Sequence, residues 1–229
     1  MKIRFAFAIA GVLTLCGCDR LPGRPGAGEE VARPDQVLDF NTLYKENCSG
    51  CHGADGKGGA SIALRDPVYL VIADDATLRS VASAGVPGTQ MPPFAQSKGG
   101  MLTDAQISAL VAGIRAWARA DVPRDGLPPY SAQSPGDPQR GAGVYATFCA
   151  SCHGPDGQGA KGGSAIANEA YLSLVSDQYL RTITIAGRPE LGAPDWRGNV
   201  TGRPMSSGEI SDVVAWLASQ RPTQRSTSK

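Results

Sequence analysis

Two pentapeptides, Cys48-Ser49-Gly50-Cys51-His52 and Cys149-Ala150-Ser151-Cys152-His153, constrain this chain more than any other feature. Between them they hold four of its 6 cysteines and both of its 2 histidines. A disulfide framework or a pair of zinc sites would account for the paired cysteines. Neither requires an imidazole directly after each pair and nowhere else in the chain. The two remaining cysteines, Cys16 and Cys18, sit near the start of the chain, so each pentapeptide stands without a further thiol beside it.

The pentapeptides belong to a longer repeat. Tyr44, Cys48, Cys51, His52, Gly53, Asp55, Gly56 and Gly58 recur 101 positions later as Tyr145, Cys149, Cys152, His153, Gly154, Asp156, Gly157 and Gly159. Tyr69, Leu70, Asp75, Leu78, Arg79, Gly85 and Pro87 recur 102 positions later as Tyr171, Leu172, Asp177, Leu180, Arg181, Gly187 and Pro189. One fold has been duplicated, which places a first domain at 37–121 and a second at 138–222. The 229 residues are ample for two domains of this size. Residues 122–137, with Pro128, Pro129, Pro135 and Gly136, are expected to be a semi-rigid linker, and 223–229 a tail.

Inside each repeat the hydrophobic period is helical. Ile107, Leu110, Val111 and Ile114, and again Ile210, Val213, Val214 and Leu217, follow the spacing of an amphipathic helix. Thr103 with Gln106 and Ser206 with Glu209 supply a capping box before each of these helices. A middle helix is expected from about Asp75 to Ala84 and from Asp177 to Ala186, each stopped by glycine. A first helix carrying Phe40, Leu43 and Tyr44, or Val144, Tyr145 and Phe148, is expected to end in the pentapeptide. No segment alternates as a strand, so the expected class is all-α.

The N-terminus reads as an export signal, with Lys2 and Arg4 ahead of an apolar run from Phe5 to Leu15. Leu15-Cys16-Gly17-Cys18 resembles the lipobox of bacterial lipoproteins. The resemblance implies removal of 1–17, acylation of Cys18 and a flexible tether over 18–36. It places the protein outside the cytoplasm, lipid-anchored on the periplasmic side of the inner membrane. Removal of 1–17 takes two of the 22 basic residues and none of the 21 acidic ones, leaving a slightly acidic chain. No basic patch points to nucleic acid.

The chemistry that needs two thiols and an adjacent imidazole is covalent haem attachment. Each thiol adds to one vinyl group of the same porphyrin, and the histidine is held against the iron. That gives two covalent haems c, one per domain, bound through Cys48, Cys51 and His52 and through Cys149, Cys152 and His153. It also explains how domains with only 6% aromatic residues keep a core, because the macrocycle becomes its centre.

The repeats resemble class I c-type cytochrome domains in tandem, on the strength of Cys-x-x-Cys-His, the following Gly-x-Asp-Gly-x-Gly, the aromatic four residues before the first cysteine, and the late amphipathic helix. The resemblance implies that first and last helices cross near Tyr44 and Tyr145. It puts Trp216 at the aromatic position of the second crossing and Gly113 at the matching place in the first. It also implies a methionine as sixth iron ligand. Met91, in Gly85-Val86-Pro87-Gly88-Thr89-Gln90-Met91-Pro92-Pro93-Phe94, matches the family's ligand loop, and Met101 is expected to be a core or surface residue. At 102 residues on, Ala193-Pro194 and Trp196 fall on Met91-Pro92 and Phe94, so Met205 is the expected ligand of the second haem. Counting back from the last helix, however, pairs Met205 approximately with Met101.

The expected function is transfer of single electrons between a redox protein donor and an acceptor in a respiratory or photosynthetic chain. The alternatives are a dihaem oxidoreductase of the peroxidase or thiosulfate-oxidising type, with one iron open to substrate, and a fixed cytochrome subunit of a membrane complex. No separate catalytic constellation is visible. Arg79 and Arg181 are expected on a solvated helix face, with contact to a haem propionate as the other reading. Tyr69 and Tyr171 are expected either to line the haem or to pack the core.

Overall fold

A computed structural model of the protein describes residues 32–122 and 124–222. The signal segment, Cys18 and residues 223–229 lie outside the described residues, as does most of the expected tether. Residues up to Gln36 separate from the rest as a unit of their own, whose described part contains one 3-10 turn, Pro34–Gln36. Both repeats lie in the second unit, which starts at Val37.

The first repeat contains α1 (Phe40–Asn47), α2 (Ser49–His52), α3 (Pro67–Ile72), α4 (Asp75–Ala84) and α5 (Asp104–Arg115). The second contains α6 (Pro138–Phe148), α7 (Ala150–His153), α8 (Glu169–Leu174), α9 (Asp177–Ala186) and α10 (Ser207–Ser219). Among the described residues there is no strand, only isolated bridges. The helix starts follow side-chain chemistry. Asp39, Asp66 and Asp74 accept from main-chain amides one turn ahead, and Pro67 and Pro138 occupy first-turn positions where no amide donor is needed. Both capping boxes are formed, Thr103 with Gln106 and Ser206 with Glu209. The middle helices stop at Gly85 (φ 65°) and Gly187 (φ 71°), where a β-carbon would strike the main chain of the loop that follows.

The first helix of each repeat ends at the pentapeptide, as expected: it is capped by Cys48 or Cys149, and the remaining four motif residues wind a separate turn. Cys48 and Cys149 are half-buried where the two turns join, and Cys51 and Cys152 follow in the separate turn.

First and last helices cross in both repeats, with different partners. In the second repeat Trp216 lies against Tyr145 at 4.2 Å between ring centroids, and its β-carbon sits over Gly141 of α6. In the first repeat the small residue is on the last helix: a β-carbon at Gly113 would overlap the Phe40 ring. The indole expected to be missing there is supplied by Trp117, one turn further on. It packs edge-on against Tyr44 at 5.1 Å and Phe40 at 5.2 Å. The gap expected at Gly113 is therefore filled from a different turn.

One buried cluster runs through both repeats, from Leu43, Tyr44 and Ile107 to Tyr145, Ile185, Trp196 and Ile210, and a smaller one around Leu172, Leu180 and Leu217 completes the second. The repeats meet where α3 packs on α9, and where the Arg188 guanidinium donates to the Gly59 carbonyl at 2.7 Å. The stretch between the repeats is held at Pro129 and Tyr130. Arg181, 2% exposed, donates to the carbonyls of Pro129 and Tyr130 and to the hydroxyls of Ser207 and Ser211. It is thus neither on a solvated face nor free to reach a propionate, whereas Arg79 donates to Ser108 at the surface. Tyr69 is buried in the core.

Candidate haem sites

Each pentapeptide presents its histidine in the same way. His52 Nδ1 lies 2.8 Å from the Ile62 carbonyl oxygen, and His153 Nδ1 lies 2.7 Å from that of Ser164, 102 residues on. A carbonyl only accepts, so Nδ1 carries the proton and Nε2 keeps its lone pair. This is the orientation a histidine needs when Nε2 is a metal ligand, with the outer carbonyl fixing the ring. His52 is 7% exposed, and its Nε2 is the buried side-chain nitrogen left without a hydrogen-bond partner among the described residues. A buried, unpartnered ring nitrogen costs free energy, and coordination to an iron removes that cost. Burial also lowers the His52 pKa, partly offset by the Ile62 contact, which favours the neutral ring that ligates.

The four motif thiols are not bonded to one another. Burial, reinforced by the neighbouring motif cysteine, pushes Cys48 up to about 11 and Cys149 up to about 12. Both are therefore thiols at neutral pH, the form that adds across a vinyl group. Among the described residues no group of three or more His, Cys, Asp or Glu side chains converges as a metal-ion site. The second anchor of each turn is a tyrosine: Tyr44 donates to the Gly53 carbonyl at 2.9 Å and Tyr145 to that of Gly154 at 2.6 Å. Two motif cysteines, an oriented imidazole and the tyrosine tether fit a thioether-bound haem in both repeats.

The methionines differ sharply in setting. Met91 is half-buried on the loop after α4, whose turn is closed by the Val86 amide donating to the Met91 carbonyl at 2.9 Å. Met101 is 82% exposed at the surface. Met205 is 2% exposed, in the cluster with Trp196, Ile185 and Ile210. Its amide donates to the Trp196 carbonyl at 2.9 Å, as the Leu102 amide donates to that of Phe94 at 2.7 Å. The structural counterpart of Met205 is therefore Leu102 and not Met101. Met205 is thus packed where the first repeat has Leu102.

A pair of arginines that the sequence reading passed over ties the last helix to the middle of each repeat. Arg115 donates to Asp75 and to the carbonyls of Leu70 and Ala73; Arg221 donates to Asp177 and to those of Leu172 and Val175. The acceptors correspond at 102 residues, but the arginine sits about one turn later in the second repeat. A search for repeated acceptors, allowing the donor to slip by a turn, would have found it.

This is the architecture of two tandem cytochrome c domains, each carrying a covalent haem. Residues 138–221 match the family model of cytochrome c, and residues 35–112 match that of cytochrome c oxidase, cbb3-type, subunit III. The chain is 29% identical over 150 residues to the cbb3-type cytochrome c oxidase subunit FixP of Sinorhizobium medicae, covering 57% of this chain and 45% of that one. It is 25% identical over 239 residues to the cytochrome bc1 complex cytochrome c subunit of Corynebacterium diphtheriae, covering 95% and 79%. A shorter match of 43% identity over 70 residues, 31% of this chain and 13% of the other, is to the dihydro-heme d1 dehydrogenase of Pseudomonas aeruginosa. The chain thus spans about half the length of the FixP relative. Among the described residues no helix is long and apolar enough to cross a membrane.

Proposed function

We propose that this protein passes single electrons between a donor and an acceptor of a respiratory or photosynthetic chain, held to the periplasmic side of the inner membrane by a lipid on Cys18. The observation that carries the reading is the oriented imidazole repeated in both halves, Nδ1 on a main-chain carbonyl and Nε2 turned away from it. When bound, each haem supplies a one-electron couple. The chain's own residues do the rest. The motif cysteines would hold the macrocycle, His52 and His153 would each ligate an iron, and Met91 would offer its thioether to the first.

A Met/His pair raises the reduction potential relative to two histidines. The relatives named as subunits of a cbb3-type oxidase and of a bc1 complex support a place beside such assemblies.

Potentiometric titration of the purified holoprotein tests this reading. Two reversible one-electron waves are expected, with both haems retained after acid–acetone extraction; one haem, or none, overturns it. For the anchor, Cys18→Ser is expected to release the protein from membranes, since buried acyl chains contribute about 0.8 kcal/mol per CH₂. Unchanged retention removes the lipid from the proposal.

A further inference from the structure

A haem iron has two axial positions, and the second one needs a nitrogen, sulfur or oxygen donor from the chain if it is to be closed. In the second repeat the donors can be taken in turn. Both histidines of the chain are committed to the near sides. Lys161, the single lysine of residues 138–222, is exposed on the loop that carries Ser164, the residue holding His153 from behind. The Tyr145 hydroxyl is bonded to Gly154, and Tyr171 is hydrogen-bonded to Tyr179. No thiol is left over. Two methionine-related positions remain.

The first is Ala193. The loop after α9 closes as the loop after α4 does: the Arg188 amide donates to the Ala193 carbonyl at 2.9 Å, just as Val86 donates to Met91. Both loops open on a left-handed glycine, Gly85 or Gly187, and both continue into proline. Ala193 therefore stands where Met91 stands, and a methyl group has no donor atom. A return bond from the Ala193 amide to the Arg188 carbonyl at 3.0 Å fixes this segment. So do the Arg188–Glu190 ion pair at 2.5 Å and the Arg188 bond to Gly59.

The second is Met205, which occupies the position of Leu102. Each is the last residue before the capping residue of the closing helix, and each gives its amide to an aromatic residue's carbonyl. Both side chains are buried, at 2% for Met205 and 6% for Leu102.

Resting on the reading of both pentapeptides as haem sites, we infer that the second haem has no protein ligand on its far side and that its reduced iron binds a neutral diatomic ligand. The first haem, faced by Met91, does not. The protein is thus an electron-transfer chain with one iron open to small molecules of the carbon monoxide or nitric oxide class.

The test is the anaerobically reduced holoprotein titrated with carbon monoxide, with both haems counted separately as the pyridine haemochrome. One carbon monoxide per two haems is expected, with about half of the Soret band shifting. Ala193→Met is expected to weaken that binding at least tenfold and to strengthen the methionine-to-iron charge-transfer band of the oxidised protein. Met205→Leu is expected to leave stoichiometry and spectrum unchanged. Wild-type protein that binds no carbon monoxide, or that gains a binding haem only on Met205→Leu, overturns the inference. A haem count below two overturns the reading beneath it instead, so the two failures are distinguishable.

Discussion

The two repeats answer the same packing problem with large and small residues exchanged. Where α6 and α10 cross, glycine is on the first helix at Gly141 and the indole is on the last at Trp216. Where α1 and α5 cross, the bulk is on the first helix at Phe40 and the glycine on the last at Gly113, with Trp117 closing from the next turn. A helix crossing needs one close approach and one filled volume, and which strand of the pair supplies each is free to change. The arginine clamps teach the same lesson, since Arg115 and Arg221 reach equivalent acceptors from helical turns one apart. Conserved contacts can thus outlast conserved positions.

The most severe way to break the comparison is to remove one haem. Cys149→Ala with Cys152→Ala is expected to halve covalent haem by mass. Because the main buried cluster passes from one repeat into the other, it should also lower the thermal midpoint of the repeat left intact. A midpoint unchanged for the first repeat would show that the repeats are energetically separate.

Next in size are the indoles. Trp117→Ala and Trp216→Ala should each cost about 3–5 kcal/mol by denaturant unfolding, the range for truncating a packed aromatic. Gly113→Ala should cost about 1–3 kcal/mol through overpacking against Phe40, and much of that loss should return when Phe40→Ala is added. An additive double mutant would mean that the Phe40 ring is not what Gly113 accommodates.

Smaller again is the clamp. Arg115→Ala and Arg221→Ala should each lose about 1–2 kcal/mol, because the side chains are partly exposed and their carbonyl acceptors half-covered. Equal losses are expected, and a clear inequality would show that the turn from which the arginine reaches does matter.

The smallest effect concerns a helix cap. Asp66 starts α3 and its counterpart, 102 residues on, is Asn168 at the start of α8. Burial, with lesser contributions from Glu190 and Asp195, holds the Asp66 carboxyl above the ordinary carboxylate range, against the pull of the Tyr69 and Val68 amides. The folded state then binds that proton more tightly than the unfolded state. The contribution is fully present below the ordinary carboxylate pKa and is lost as pH rises through the raised value. Asp66→Asn, which keeps the acceptor for Tyr69, should therefore stabilise the protein by less than about 1 kcal/mol at pH 7 and leave it unchanged at low pH. A loss at pH 7 would mean the carboxylate charge itself supports the helix start.

Much of this architecture can be read directly along the chain. The capping boxes, the glycine stops at Gly85 and Gly187, and the apolar faces of α5 and α10 depend on residues close in sequence, where spacing and chemistry suffice. What escaped depends on counting across loops. The repeat offset is 101 up to Gly58 and Gly159, 102 from Ile62 and Ser164 to Phe94 and Trp196, and 103 from Leu102 and Met205 onward. Met205 lies 103 residues beyond Leu102, the same offset as the two capping boxes, and its bonding partner makes the same pairing, so an approximate count that stops at Met101 is one residue short. Trp117 and Arg221 escape for a different reason: each lies two residues past the end of its closing helix, where the helical period gives no guide to what a side chain meets. Arg181 reads as a surface residue on its own helix, and only the return of the linker over it makes it buried.

That burial bears on how the protein can be handled. Composition marks the proline-rich stretch between the repeats as the obvious place to divide the gene, or for a protease to enter. Cleavage needs a segment that can be lifted out and extended, whereas the carbonyls of Pro129 and Tyr130 are gripped by a guanidinium that has no other main-chain acceptor. A cut there would leave that buried guanidinium with only the Ser207 and Ser211 hydroxyls, so the seam between the duplicated copies has become part of the second one.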